Sequence, residues 1–152
     1  MSEKMQVVSG SASCPKGFVA AGMSCGIKEG GKPDLSWIAC AKGASAAGVF
    51  TTNLLRAAPV TLSANALKAS KGVAKVVLTN SGCANAATGE EGERRARSTI
   101  AAAAKAAGCA TDEVLVMSTG LIGSMLPSEK IESAIPKISG AASAGGLMGA
   151  AR

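Results

Sequence analysis

The chain has 152 residues, of which 47% are apolar, and a formal net charge of +6. This length and apolar content suffice for one sizeable hydrophobic core and predict a single folded domain. Only 2 Phe, 1 Trp and no Tyr are present, so the chain lacks the aromatic side chains that stack on bases, which argues against a nucleic-acid partner. The absence of histidine excludes a Ser-His-Asp or Cys-His relay assembled within this chain.

The cysteines indicate free thiols. Their number is odd, and they form neither a C-x-x-C pair nor a cluster with histidine; they are Cys14, Cys25, Cys40, Cys83 and Cys109. We therefore expect no disulfide framework, no metal site and an intracellular location. No apolar run approaches the roughly 20 residues of a membrane span, and the first residues carry no signal-peptide pattern, so we expect no membrane association.

The first part of the chain is predicted to be rich in strands. Residues 1–15 are polar and predict a flexible arm. Short apolar segments at residues 17–23, 35–40 and 46–51 predict three strands of an antiparallel meander. Residues 59–62 are expected to continue the sheet at an edge before one or two helical turns.

The strongest strand signal is the β-branched run at residues 73–79. It leads into a polar segment, residues 80–89, which we interpret as a turn. Asn and Gly commonly satisfy loop backbone groups, so we interpret Asn80 and Asn85 as bracing this loop; contact with a ligand is the alternative.

A helix is predicted to follow this loop. Thr88 and Glu91 have the spacing of a capping box, and Gly108 is a natural stop at the other end. A further helix is predicted from Ser128, interrupted or kinked at Pro136.

Between these two helices, residues 114–123 form an apolar β-type run that passes into small hydroxyl and glycine residues. We expect a strand followed by a turn whose backbone N–H groups are free to bind an oxyanion or a phosphate. An ordinary turn is the alternative, since Ser, Thr and Gly are common turn residues. The order of the elements predicts an α/β fold, a layered sandwich of mainly antiparallel sheet with flanking helices.

Several consecutive segments together resemble the ornithine acetyltransferase family, which includes the bifunctional glutamate N-acetyltransferases of arginine biosynthesis. These segments are KGFVAAG at 16–22, GKPDL at 31–35, AAGVFTTN at 46–53, AAPV at 57–60, NSGCANAATG at 80–89 and STGLIG at 118–123. The resemblance covers residues 16–138 and implies the N-terminal part of an α chain. It also implies that the Ala/Gly/Ser-rich tail, residues 139–152, is truncated relative to the family.

The resemblance implies a reaction and a site. Family members move an acetyl group from N-acetylornithine to glutamate through an acetyl-enzyme, and some also use acetyl-CoA, so no cofactor is expected beyond acetyl-CoA as a possible substrate. The precursor cleaves itself, and the threonine that begins the β chain is the nucleophile. Thr119 and Gly120 correspond to the family's oxyanion-hole pair. The family's substrate-contacting residues lie beyond Arg152, so no substrate-binding residue is assigned here.

The implied partners are the β chain of the same precursor, in an α2β2 or higher oligomer, and small amino-acid substrates. Without the nucleophile this chain alone should be inactive. Relatives work in bacterial cytoplasm, plastids or the mitochondrial matrix, and the same locations are expected here.

Cys83 departs from the family, which usually has asparagine or another small polar residue there. We interpret it as a tolerated variant, with a redox-active thiol as the alternative. Two other functions also remain open: a non-catalytic binding or scaffold fragment of the same fold, and an amidase or aminopeptidase of the wider self-processing superfamily.

Overall fold

A computed structural model describes residues 15–151; the predicted N-terminal arm lies outside the described residues except for Pro15. The described chain contains one four-stranded sheet with strands in the order β1-β2-β3-β4. Neighbouring strands are antiparallel except for β3 and β4, which are parallel. The strands are β1 (Val19–Met23), β2 (Leu35–Ser45), β3 (Val73–Cys83) and β4 (Val114–Leu121). The predicted α/β fold class is confirmed.

Within residues 15–151, four α-helices accompany the sheet: α1 (Ala58–Ala69), α2 (Gly89–Ala107), α3 (Ser128–Ala141) and α4 (Leu147–Ala150). Short 3-10 turns occur at Glu29–Gly31 and Thr111–Glu113. Helix α2 ends as predicted, because Gly108 adopts the left-handed conformation with φ +62° that terminates helices at low cost. Helix α3 is continuous from Ser128 to Ala141 and includes Pro136.

The core lies on the face of the sheet that α2 and α3 cover. Apolar side chains on alternate strand residues point toward these helices, among them Trp37, Val76 and Val116. The helices contribute small and β-branched residues, including Ala103 and Ile135, which are almost completely buried. With few aromatic residues available, the core is filled by small side chains that pack closely against the sheet.

The opposite face of the sheet is not covered by α2 or α3. It carries the strand side chains that alternate with those of the core. Among them, Ile38, Val77 and Leu115 are half-buried, and the exposed fraction of Met117 is 51%. Helix α1 lies beside β4 at the edge of the sheet. We refer to this uncovered surface as the open face.

Two predictions for the first half of the chain are wrong. Residues 46–51 form no strand; β2 instead extends to Ser45, and the chain from 46 to 57 is irregular and mostly exposed. Residues 59–62 are helical, because Pro59 occupies the first turn of α1, where its fixed φ and missing N–H are tolerated. The three-stranded meander is therefore replaced by β1, β2 and the later strand β3.

The predicted polar turns are also corrected. Residues 80–83 and 118–121 remain in strands, because they pair with each other in the parallel ladder from Asn80↔Ser118 to Cys83↔Leu121. The predicted capping box does not form: the hydroxyl of Thr88 donates to Asn85 Oδ1 instead of capping α2. Helix α3 begins at Ser128, with Pro127 in the N-cap position.

The described part of the Ala/Gly/Ser-rich tail contacts β1. Ala20 and Ser143 exchange backbone hydrogen bonds of 2.9 and 3.0 Å. Helix α4 lies against the same strand, where Gly22 is so close that a Cβ there would lie 1.9 Å from the carbonyl oxygen of Gly149. Glycine at position 22 is therefore required for this approach.

Candidate active site

The two residues proposed to form an oxyanion hole lie near the end of β4. Thr119 pairs with Ser81 and Gly120 pairs with Gly82 in the parallel ladder. Both are exposed. Because β4 is the last strand of the sheet, one side of its backbone faces away from β3 and is available to other partners.

A serine on α1 shows which backbone groups face this outer edge. Ser63 Oγ donates to the carbonyl oxygen of Val116 at 2.8 Å and accepts from its N–H at 3.0 Å. At the other end of the strand, Leu121 points its carbonyl toward β3, where it accepts from the N–H of Ala84. Backbone groups of successive residues point to opposite sides of a strand. The N–H of Gly120 therefore points to the outer edge, as that of Val116 does, and the N–H of Thr119 points toward β3.

Ser63 was not identified from the sequence, and its burial and paired hydrogen bonds give it a measurable role. We expect Ser63→Ala to lower the free energy of unfolding by about 1–3 kcal/mol, because both polar groups of Val116 lose their partner in a buried position. Urea denaturation measures this change. Ser133→Ala, which removes an exposed hydroxyl, is the control and should change stability by less than about 0.5 kcal/mol; equal effects would contradict the role of Ser63.

The side chain of Thr119 complements the N–H of Gly120. Side chains alternate along β4, and Val114 and Val116 are buried under the helices, so the Thr119 side chain lies on the open face. The strand therefore offers two different donors next to each other, a hydroxyl and a backbone N–H. Such a pair can stabilise the negative oxygen of a tetrahedral intermediate.

The backbones of β3 and β4 approach closely at this pair. A Cβ at position 120 would lie 2.3 Å from the carbonyl carbon of Gly82 and 2.6 Å from the backbone nitrogen of Cys83. Gly120 also has φ +130°, a conformation that other residues rarely adopt. Glycine is therefore required at position 120 for both space and conformation.

The two asparagines interpreted as braces lie in different places. Asn80 is buried between the ends of β3 and β4: its Oδ1 accepts from Ser118 Oγ at 2.6 Å, and its Nδ2 donates to the carbonyl oxygen of Cys83 at 2.9 Å. Asn85 lies at the start of α2, where its Nδ2 donates to the carbonyl oxygen of Gly92 at 2.9 Å. Of the two, Asn80 is the one next to the candidate donors.

The described cysteines are free thiols. Cys83 is buried and its Sγ donates to the carbonyl oxygen of Ser124 at 3.2 Å. Burial and the neighbouring Asp34 carboxylate raise the pKa of Cys25 to about 12. Burial, followed by the charge of Glu113, also raises the pKa of the Cys109 thiol. Cys25 and Cys109 therefore remain protonated and are poor nucleophiles. Within residues 15–151, no group of three or more Cys, Asp or Glu side chains could hold a metal ion.

A buried carboxylate organises the loop between β1 and β2. Asp34 accepts hydrogen bonds from the backbone N–H groups of Cys25, Ile27 and Lys28 at 2.6, 2.6 and 2.9 Å. Burial opposes its ionisation, but these hydrogen bonds outweigh burial and hold the pKa of the carboxyl below its usual value. The carbonyl oxygen of Asp34 also accepts from the N–H of Ser81, which connects this loop to β3 near the site.

This carboxylate predicts a pH-dependent stability. We expect Asp34→Asn to lower the free energy of unfolding by about 2 kcal/mol near neutral pH, because the amide places a donor among three N–H groups. Since the folded-state pKa is lowered, the contribution of Asp34 is present above its ordinary pKa of 3.8 and is lost as the pH falls through the lower folded-state value. Urea denaturation over a pH series measures the difference, with Asp112→Asn, an exposed aspartate, as the control. A difference that stayed constant into acid would contradict this origin.

A cavity of about 500 Å³ adjoins the site along the outer side of β4. It is bounded by the irregular segment after β2, the first turns of α1 and the open face of β4. Its lining is mostly apolar and includes Phe50, Val60, Leu67 and Met117, with Ser118 at one side. The donors of Thr119 and Gly120 follow Ser118 directly in the strand.

Comparison with known proteins assigns the chain to a family. The chain matches the ArgJ family over residues 19–151. The chain belongs to the ArgJ family. A relative named arginine biosynthesis bifunctional protein ArgJ, from Chlorobaculum tepidum, is 52% identical over 124 residues, which are 82% of this chain and 30% of the relative. The chain is also similar to a crystal structure of ornithine acetyltransferase complexed with ornithine from Mycobacterium tuberculosis. That structure has a TM-score of 0.84 and 37% identity, covering 90% of this chain and 74% of the other.

The curated ArgJ relatives are much longer than the matched region, and the chain spans about a third of their length. An ArgJ relative from Zea mays, 42% identical over 90% of this chain and 29% of its own length, is named chloroplastic. One from Meyerozyma guilliermondii, 46% identical over 82% of this chain and 29% of its own length, is named mitochondrial. No helix in the described part of the chain is long and apolar enough to cross a membrane.

Proposed function

We propose that this chain is the N-terminal part of the α chain of an acetyltransferase that moves an acetyl group from N-acetylornithine to glutamate, with acetyl-CoA as a possible second donor. The observation that carries the proposal is the donor pair at the end of β4, in a chain of the ArgJ family. Thr119 would donate its hydroxyl and Gly120 its N–H to the oxygen of the acetyl carbonyl as that oxygen becomes negative.

The donors act on charge that develops during acyl transfer. When a nucleophile attacks the carbonyl carbon, the carbonyl oxygen takes up the electron pair of the broken π bond. Preorganised donors stabilise this oxyanion more than they stabilise the neutral carbonyl, which lowers the barrier. The base would be the α-amine of a terminal nucleophile on the other chain, which agrees with the absence of histidine from this chain.

We further propose that the remaining polypeptide, including the β chain and its nucleophilic threonine, covers the open face and the adjoining exposed surface. The exposed fractions of Val49, Leu54 and Leu121 are 102%, 97% and 69%. Apolar surface of this extent is typical of an interface. Amino-acid substrates would bind between the two parts, in an α2β2 or higher oligomer. The compartment would be that of arginine synthesis in the source organism: cytoplasm, plastid or mitochondrial matrix.

The test uses the complete polypeptide, by which we mean this chain joined to a segment supplying the rest of the ArgJ length. Intact mass and N-terminal sequencing should show a second chain that begins with threonine, and acetyl exchange between N-acetylornithine and glutamate should be measurable. Cleavage of amide or peptide substrates without exchange would favour the amidase alternative. An uncleaved product with neither activity would favour a binding or scaffold role.

A further inference from the structure

Asn80 joins the two strand ends on which the candidate donors depend. The residue is only 4% exposed, and both ends of its side-chain amide are used: the oxygen accepts from Ser118 on β4 and the nitrogen donates to the Cys83 carbonyl on β3. Ser118 is the residue before Thr119. Asn80 therefore reaches from β3 to the side chain of the residue immediately before the donor pair.

This bridge matters because a pair two positions further along the ladder has no side chains. Gly82 and Gly120 lie opposite each other, so no side-chain contact between them can fix the direction of the Gly120 N–H. Beyond this pair, the strands are connected by the bond from the Ala84 N–H to the Leu121 carbonyl. On the near side, the only side-chain bridge between β3 and β4 among the described residues is Asn80 with Ser118.

We propose that Asn80 is a positioning residue that acts through Ser118 to hold the hydroxyl of Thr119 and the N–H of Gly120 in the geometry needed for acyl transfer. The inference rests on the proposed function. An oxyanion exists only near the transition state, so displaced donors lower kcat and leave substrate affinity largely intact. A small displacement suffices, since misplacement by about 1 Å can cost on the order of 100-fold in rate.

The experiment uses the complete polypeptide with Asn80→Ala, Ser118→Ala and the double variant. We expect each single variant to lower kcat by about tenfold to 100-fold with KM changed less than about threefold. The double variant should lose no more than the worse single variant, because both substitutions break one bridge. Ser118→Thr retains the hydroxyl and should restore most of the rate. Asn85→Ala is the matched control: it removes the other buried asparagine and should lower stability without lowering kcat.

Hydrogen exchange of the backbone amides of residues 118–121 gives a readout that does not need turnover. Asn80→Ala and Ser118→Ala should both accelerate exchange in this segment, whereas Asn85→Ala should not. Unchanged kcat in an active Asn80→Ala enzyme, multiplicative losses in the double variant, or unchanged amide exchange would each overturn the inference. A wild type without acetyl exchange, in which Asn80→Ala still accelerates amide exchange, would overturn the proposed function and leave the positioning contact supported. Ser118→Ala keeps the test available if Asn80→Ala does not fold.

Discussion

Thr119→Ala in the complete polypeptide should lower the rate of acetyl transfer by on the order of 10²–10³-fold, the loss typical for removal of one oxyanion-hole donor. Thr119 is exposed and its side chain lies on the open face, so its replacement removes a hydroxyl without disturbing the core. Assembly with the other chain should be intact. Steady-state exchange kinetics and size-exclusion chromatography measure the two properties.

Two further variants at this position separate the hydroxyl from the shape of the side chain. Thr119→Ser keeps the hydroxyl and should retain most of the rate, whereas Thr119→Val keeps the β-branched shape and should be as slow as Thr119→Ala. The donor assignment fails if Thr119→Val is as fast as the wild type. A loss of assembly in Thr119→Ala would show that the residue acts mainly at the interface.

Gly120→Ala is expected to have the largest effect on folding, with a loss of about 4 kcal/mol in the free energy of unfolding. Two costs combine: overpacking, because the new methyl group would lie 2.3 Å from the Gly82 backbone, and strain, because φ at this position is +130°. Both strands must separate or bend to admit the methyl group, so activity should be lost as well. Urea denaturation and exchange kinetics measure the two effects.

Gly123→Ala is the matched control for this substitution. Gly123 also has a positive φ, +79°, but no atom lies within 4 Å of the position its Cβ would take. It should therefore show the conformational cost alone, about 1 kcal/mol. If the two variants lose equal stability, the close approach of β3 and β4 is not what requires glycine at position 120.

The sequence predicted correctly those elements whose formation depends on the conformational preferences of neighbouring residues. The β-branched residues from Val73 onward, the end of α2 at Gly108 and the strand beginning at Val114 all lie where they were predicted. The prediction for residues 46–51 was wrong because an apolar run does not show whether a neighbouring strand exists to pair with it. In the fold, β1 and β3 already occupy both sides of β2.

The ends of β3 and β4 show a different limit. Asn and Gly are depleted in strands and Ser is common in turns, so residues 80–83 and 118–121 were predicted as turns. They are strands because each supplies the other's hydrogen bonds across a sequence separation that no local window covers. The same holds for the bridge from Asn80 to Ser118, 38 residues apart, and for Ser63 and Val116, 53 residues apart. Thr119 and Gly120 were identified from the sequence through a family resemblance, and their assignment as donors stays a prediction.

The parallel pairing of β3 and β4 has a consequence for the timing of maturation. The two strands and α2 between them form a continuous crossover unit, and the helices that cover it precede or closely follow it in the chain. Because the proposal makes this chain the N-terminal part of the precursor, this unit could fold during synthesis while the rest of the polypeptide is still emerging from the ribosome. Under the proposed function, the donors would be in place before the nucleophile is made. The onset of self-cleavage would then depend on when the nucleophilic threonine is synthesised and folds against the donor pair.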